Sequence, residues 1–141
     1  MTAIAGLWEL QKAVLIVLQQ SSLIQSLVGN PARVYDVPPT NPTLPLILMG
    51  DAQAEEWGSR DTAGMKVMLI LHVYSNVNRG RADARKIGDA LRVALHNNSS
   101  IAPAAGSVVL CQYLSTEDEG LDADGITWHG VTKFDILYQT T

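Results

Sequence analysis

Cysteine occurs once in the 141 residues, at Cys111. One chain therefore has no disulfide framework and no cysteine metal cage, which suits a reducing compartment. Long apolar runs are missing as well. The stretch from Ala13 to Leu18 is flanked by Lys12 and Gln19-Gln20 and falls far short of the roughly 20 residues that span a bilayer. No leader is evident, so a soluble protein assembled in a cytosol, with no membrane partner, is expected. Excess positive charge is absent too. Ten Lys and Arg face fourteen Asp and Glu, a net charge of −4, which argues against general nucleic-acid binding. The chain has no GxSxG, no HExxH and no phosphate loop ending in GK[ST]. Neither a cofactor nor a metal is called for.

What is present is a readable pattern of elements. From Ala5 to Gln20, Leu7, Leu10, Val14, Val17 and Leu18 cluster on one side of a helical wheel, widened by Trp8 and Leu15. Ile16 falls on the polar side, either as a stray surface residue or as a subunit contact. Ser21-Ser22 can cap a short helix from Leu23 to Val28 that Gly29-Asn30-Pro31 ends. Residues 31–45 hold five of the six prolines, which excludes a helix or a central strand. They read as an ordered extended loop with a short strand at Arg33–Asp36.

Leu44–Gly50 reads as a buried strand continuing toward Trp57. Met65–Ser75 is the strongest strand, because Val67 to Leu71 form an unbroken apolar run, as in a strand covered on both faces. A helix is expected from Arg81 to His96, its apolar face made by Ala84, Ile87, Gly88, Leu91, Ala94 and Leu95. Strands at Ser107–Thr116 and Ile126–Gln139 should flank an acidic turn as an antiparallel hairpin. In the last strand Trp128, Thr132, Phe134, Ile136 and Tyr138 share one face, and His129, Val131, Lys133, Asp135 and Leu137 the other. The plan is one α+β domain over 1–141: a mostly antiparallel sheet with two main helices packed on one face.

Two charged segments are the candidate sites. Arg79, Arg81, Arg85, Lys86 and Arg92 are half of all basic residues, packed into positions 79–92 against only Asp83 and Asp89. At 100° per residue, Arg85 and Arg92 fall within about 40° of Arg81, beside the apolar face. This stripe reads as a solvated helix face with internal pairs, or as a ribbon meeting an acidic partner. Direct DNA contact is disfavoured, because no aromatic residues interleave the arginines. Glu117, Asp118, Glu119, Asp122 and Asp124 form the second segment. They lack the spacing of a calcium loop. They read as a solvated hairpin tip that discourages edge aggregation, or as a surface for a basic partner. A small enzyme using His72 or His129 with a carboxylate such as Asp135 is a weak rival: His72 reads as a satisfied core or edge residue, and His129 and Asp135 would lie about 20 Å apart along one strand at 3.3 Å per residue. His96 suits a helix C-terminus, and Cys111 a buried apolar position.

Several segments, in order, resemble one family. "RVYDVPPTNPTLPLILMGD" at 33–51, "LHVYSNVNRGRADARKIGDALRVAL" at 71–95, "LDADGITWHGVTKFDIL" at 121–137 and the opening "LIQSLVGN" are similar to the phage tail completion proteins. These are tail terminators, or tail-to-head joining proteins, of long-tailed phages and gene transfer agents. The resemblance implies a structural virion protein without catalytic residues or cofactor. It implies a hexameric ring at the head-proximal end of the tail, between the major tail tube protein and the head connector or stopper. DNA would pass through such a ring without sequence-specific binding. Tyr35 and Pro38 would shape the loop, and Gly125 and Gly130 the hairpin. On that expectation the basic stripe and the acidic segment are separate patches suited to meeting different neighbours. A monomeric adaptor at the head–tail interface is the alternative.

Overall fold

A computed structural model describes residues 4–76, 78 and 80–140. Helices α1 (Leu7–Gln20) and α2 (Ser22–Val28) come first. A two-residue strand β1 (Val34–Tyr35) precedes the long hairpin of β2 (Leu46–Gly58) and β3 (Ala63–Asn76). Helix α3 (Gly80–Leu95) crosses back, and β4 (Ser107–Leu121) and β5 (Thr127–Gln139) close the chain. The sheet order is β1-β2-β3-β5-β4. Only β1–β2 is parallel; the other three pairings are antiparallel. The fold is α+β, as expected.

The helices cover one face of the sheet. Val67, Leu69, Leu71 and Val73 of β3 point into the core, with Phe134, Ile136 and Tyr138 of β5 beside them. Leu10, Val14 and Leu18 of α1 and Ile87, Leu91 and Leu95 of α3 close over them. The face assignment read from the alternation in β5 holds. Ser21 caps α2 through its side chain, accepting from the Ile24 N–H.

Helix α3 sits low on β4 and β5 because its contact stripe is small. Gly88 lies against Thr116 and Thr132. A Cβ there would come 3.0 Å from Thr116 Cγ2 and 3.4 Å from Thr132 Oγ1. One turn earlier Ala84 packs over Gly130. The two threonine hydroxyls lie 3.4 Å apart, and the Tyr113 hydroxyl donates to Thr116 Oγ1 at 2.7 Å. A buried polar seam is thereby satisfied beneath the helix.

One boundary differs in a way that matters. The acidic segment 117–121 is not a turn but the end of β4, paired with the start of β5. The turn itself is only residues 122–126. Irregular pairing at Val108/Leu110, Tyr113/Ser115 and Asp118/Gly120 lets this edge strand follow β5 to its beginning. Acidic residues are poor strand formers by propensity. Cross-strand pairing with a long, half-buried partner overrides that preference.

Candidate functional site

The arginine stripe and the acidic strand end meet. Asp118 pairs with Gly130, whose missing side chain leaves Ala84 and the neighbouring turn of α3 close above. Arg85 Nη2 donates to Asp118 Oδ2 at 2.9 Å, and Arg81 Nε lies 3.8 Å from the same oxygen. The two charge groups that the sequence reading keeps apart thus share one corner of the molecule. The cause is the extra length of β4, which carries Asp118 beneath α3 rather than out into a loop. Arg81 also lies over the Trp128 ring, 5.0 Å from its centroid, and Arg92 over Tyr113 at 5.5 Å. The stripe is therefore pinned by a carboxylate and two aromatic faces, with guanidinium edges left toward solvent. Arg79 lies outside the described residues.

The other acidic candidates have separate surroundings. Glu117 reaches Lys133 at 3.5 Å on the open face of the sheet. Glu119, at the β4 irregularity, is exposed. Asp124 closes its own turn. It accepts from Thr127 Oγ1 at 2.6 Å and from the Ile126 and Thr127 N–H groups at 2.9 Å, and these bonds hold its carboxyl below the ordinary range. Asp122 Oδ1 lies 3.9 Å from His129 Nδ1. Ile16 is 49% exposed on α1, an element away from this corner.

A cluster that the sequence reading does not assemble lies on the sheet face without helices. Tyr74 pairs directly with His129 across β3–β5, and their rings stack at 4.5 Å and 11°. His72, two residues along β3, places Nδ1 2.7 Å from His129 Nε2. The His72 ring also lies over Gly50, where a Cβ would come within 2.6 Å of it. Burial, then the neighbouring charge of His129, push His72 below its ordinary value; Asp51 and Glu119 pull the other way. Burial and Asp122 push the Tyr74 phenol up. Beside this cluster runs an apolar groove of about 580 Å³. Its walls are the proline-rich loop (Pro38, Pro42) and the β4–β5 turn (Asp124, Ile126); its floor includes Leu48 and Tyr74. The remaining histidine, His96, accepts at Nδ1 from the Tyr113 N–H at 3.0 Å. It braces the end of α3 on β4.

Chemically, none of these groupings is built for bond-making. Asp135, the carboxylate considered for His129, instead meets Lys66 at 3.6 Å. No group of three or more potential metal ligands forms among the described residues. Cys111 is buried, and burial pushes its thiol up to about 12, far from a nucleophilic thiolate. The charged corner is exposed, mixed in sign and held in fixed geometry.

A family model described as "Tail completion protein gp17" matches residues 12–139. The chain belongs to this tail completion family. Its fold is shared with a solved chain titled "Virion of native gene transfer agent (GTA) particle". The two superpose with a TM-score of 0.77 at 19% identity, over 91% of this chain and 93% of that one. Among curated proteins none matches.

Proposed function

We propose that this tail completion protein is a tail terminator. It forms a ring, a hexamer on the family resemblance, that caps the head-proximal end of the tail tube. There it stops polymerisation of the major tail tube protein and joins the tail to the head connector or stopper. The observation that carries the reading is the family match over 12–139. The fold shared with a chain of a gene transfer agent virion supports it. It is a non-enzymatic virion component, assembled in the host cytoplasm, and DNA passes through its ring without sequence-specific contact. Among the described residues no helix is long and apolar enough to cross a membrane.

A cyclic ring needs two different patches on each subunit. Arg81, Arg85 and Arg92 supply a basic ridge, joined by Arg79 on the sequence reading. Because Asp118 lies against Arg81 and Arg85, the ridge and the acidic strand end make one patch of mixed sign; Glu117, Glu119, Asp122 and Asp124, each in separate surroundings, are candidates for the second. Such charges set orientation and partner choice more than affinity. Ile16 is a candidate apolar contact on the opposite element.

Deleting the gene should give headless particles with over-long tails, scored by electron microscopy. Native mass spectrometry of the purified protein should show closed rings, and reversing Arg81, Arg85 and Arg92 together to Glu should abolish them. Tails of normal length joined to heads after deletion would refute the terminator role. A strictly monomeric mass on tube ends would favour an adaptor that works without a ring.

A further inference from the structure

We propose that His72 and His129 form an acid-sensitive latch. While they share a single hydrogen-bonded contact, they hold the Tyr74 ring stacked on His129, and they release that stack when both rings are protonated. The geometry carries this. At 2.7 Å, His72 Nδ1 and His129 Nε2 can be joined only if one nitrogen donates and the other accepts. From the neutral pair, a first proton from solvent makes one ring cationic and leaves the bridge intact; a second makes both nitrogens donors and both rings cationic. The contact then becomes repulsive, and one ring must turn away. His72 has little freedom, since its ring is pressed against Gly50. His129 is the ring that moves, and Tyr74 stacks on it at 4.5 Å.

The surroundings favour the swing. The carboxylates near the pair come from three elements: Asp51 of β2, Glu119 of β4 and Asp122 of the turn. Tyr74 of β3 completes the shell, and the Lys133–Glu117 pair lies further along the same face. None of these groups separates the two imidazoles, but Asp122 already stands 3.9 Å from His129 Nδ1 and would receive the protonated ring. Because Tyr74 floors the groove and Asp124 and Ile126 wall it, release of His129 alters the groove's shape. The inference does not depend on the terminator reading.

The direction of the pH effect follows. His72 is held below its ordinary value in the folded chain, so folded protein binds fewer protons than unfolded below about pH 6.5. The stabilisation is complete above that pH and is lost as pH falls through the folded value of His72.

Imidazole carbon-bound proton shifts, followed by NMR from pH 8 to 5 on the intact protein, test the latch. The expected result is a coupled titration, with the His72 midpoint below about 6.5 and returning toward 6.5 in His129→Gln. The Tyr74 ring-proton shifts should move between pH 7 and 5 as the stack on His129 opens, and not do so in the variant. A His96→Gln control should keep the response. A His72 midpoint at or above about 6.5 in the wild type, or Tyr74 ring shifts unchanged by pH, overturns the proposal. The wild-type titration decides it even where the variant does not fold.

Discussion

Truncating Asp118 to Ala should cost the fold little while disturbing how the molecule meets its neighbours. The Arg85–Asp118 contact is short, at 2.9 Å, but the side chains are 59% and 30% exposed. Two unit charges about 4 Å apart attract by about 1 kcal/mol in bulk water. Holding a long arginine still offsets much of that, and exposed pairs contribute about 0.2–1 kcal/mol in measured cycles. Arg81 is a reserve partner at 3.8 Å, so removing Arg85 alone leaves Asp118 partly neutralised. A double-mutant cycle of Arg85→Ala and Asp118→Ala in urea, read by tryptophan fluorescence, should therefore give a coupling of about 0.5 kcal/mol. Adding Arg81→Ala should raise the total coupling to Asp118 only slightly. The same Asp118→Ala protein should show altered oligomer mass, because two guanidinium groups then lose their anchor. A coupling above about 2 kcal/mol, the regime of desolvated pairs, would refute the argument. It would make this corner a structural staple rather than a recognition surface.

Two further outcomes follow from the packing. Gly88→Leu should destabilise the fold by about 1–3 kcal/mol in urea unfolding, by lifting α3 from the Thr116–Thr132 seam; unchanged stability would mean that α3 does not sit this low. Cys111 should resist thiol reagents in native buffer and react only on unfolding, given its burial and its raised thiol, so fast native labelling would contradict its placement.

The fold was largely legible because its signals are local. The run Val67–Leu71 declares a strand, though as one covered on both faces; helices cover only one, and Met68 on the other is 39% exposed. The alternation through Phe134, Ile136 and Tyr138 declares which face is covered. Helix α3 shows itself through Ala84, Ile87, Gly88 and Leu91, and the prolines of residues 31–45 leave room for no more than the two-residue β1 before β2 begins. Where the reading departed from the structure, a partner had overruled local preference. Glu117 to Leu121 look like a turn because acidic residues and glycine seldom build strands, yet β5 supplies an uninterrupted ladder for them.

The sites were less legible because they depend on register. His72 and His129 are 57 residues apart, and no spacing rule links them. Weighing His129 against Asp135 tested one strand, whereas the partner lay on the neighbouring one. The alternation in β5 does place His129 on the open face, and a His at an even position of β3 belongs there too. What was missing is the pairing Tyr74↔His129, which sets His72 diagonally across from His129. A slip of one residue would carry His129 to the helix face and bring Asp118 off Gly130. The registers of β5 against its two neighbours therefore create the two contacts separately, the histidine pair on β3 and the Arg85–Asp118 contact on β4. The long, irregular β4 fixes the second, and the uninterrupted β3–β5 ladder fixes the first. A change that shifts β4 alone, such as repairing its irregularity at Asp118/Gly120, should move the charged corner and leave the histidine pair in place.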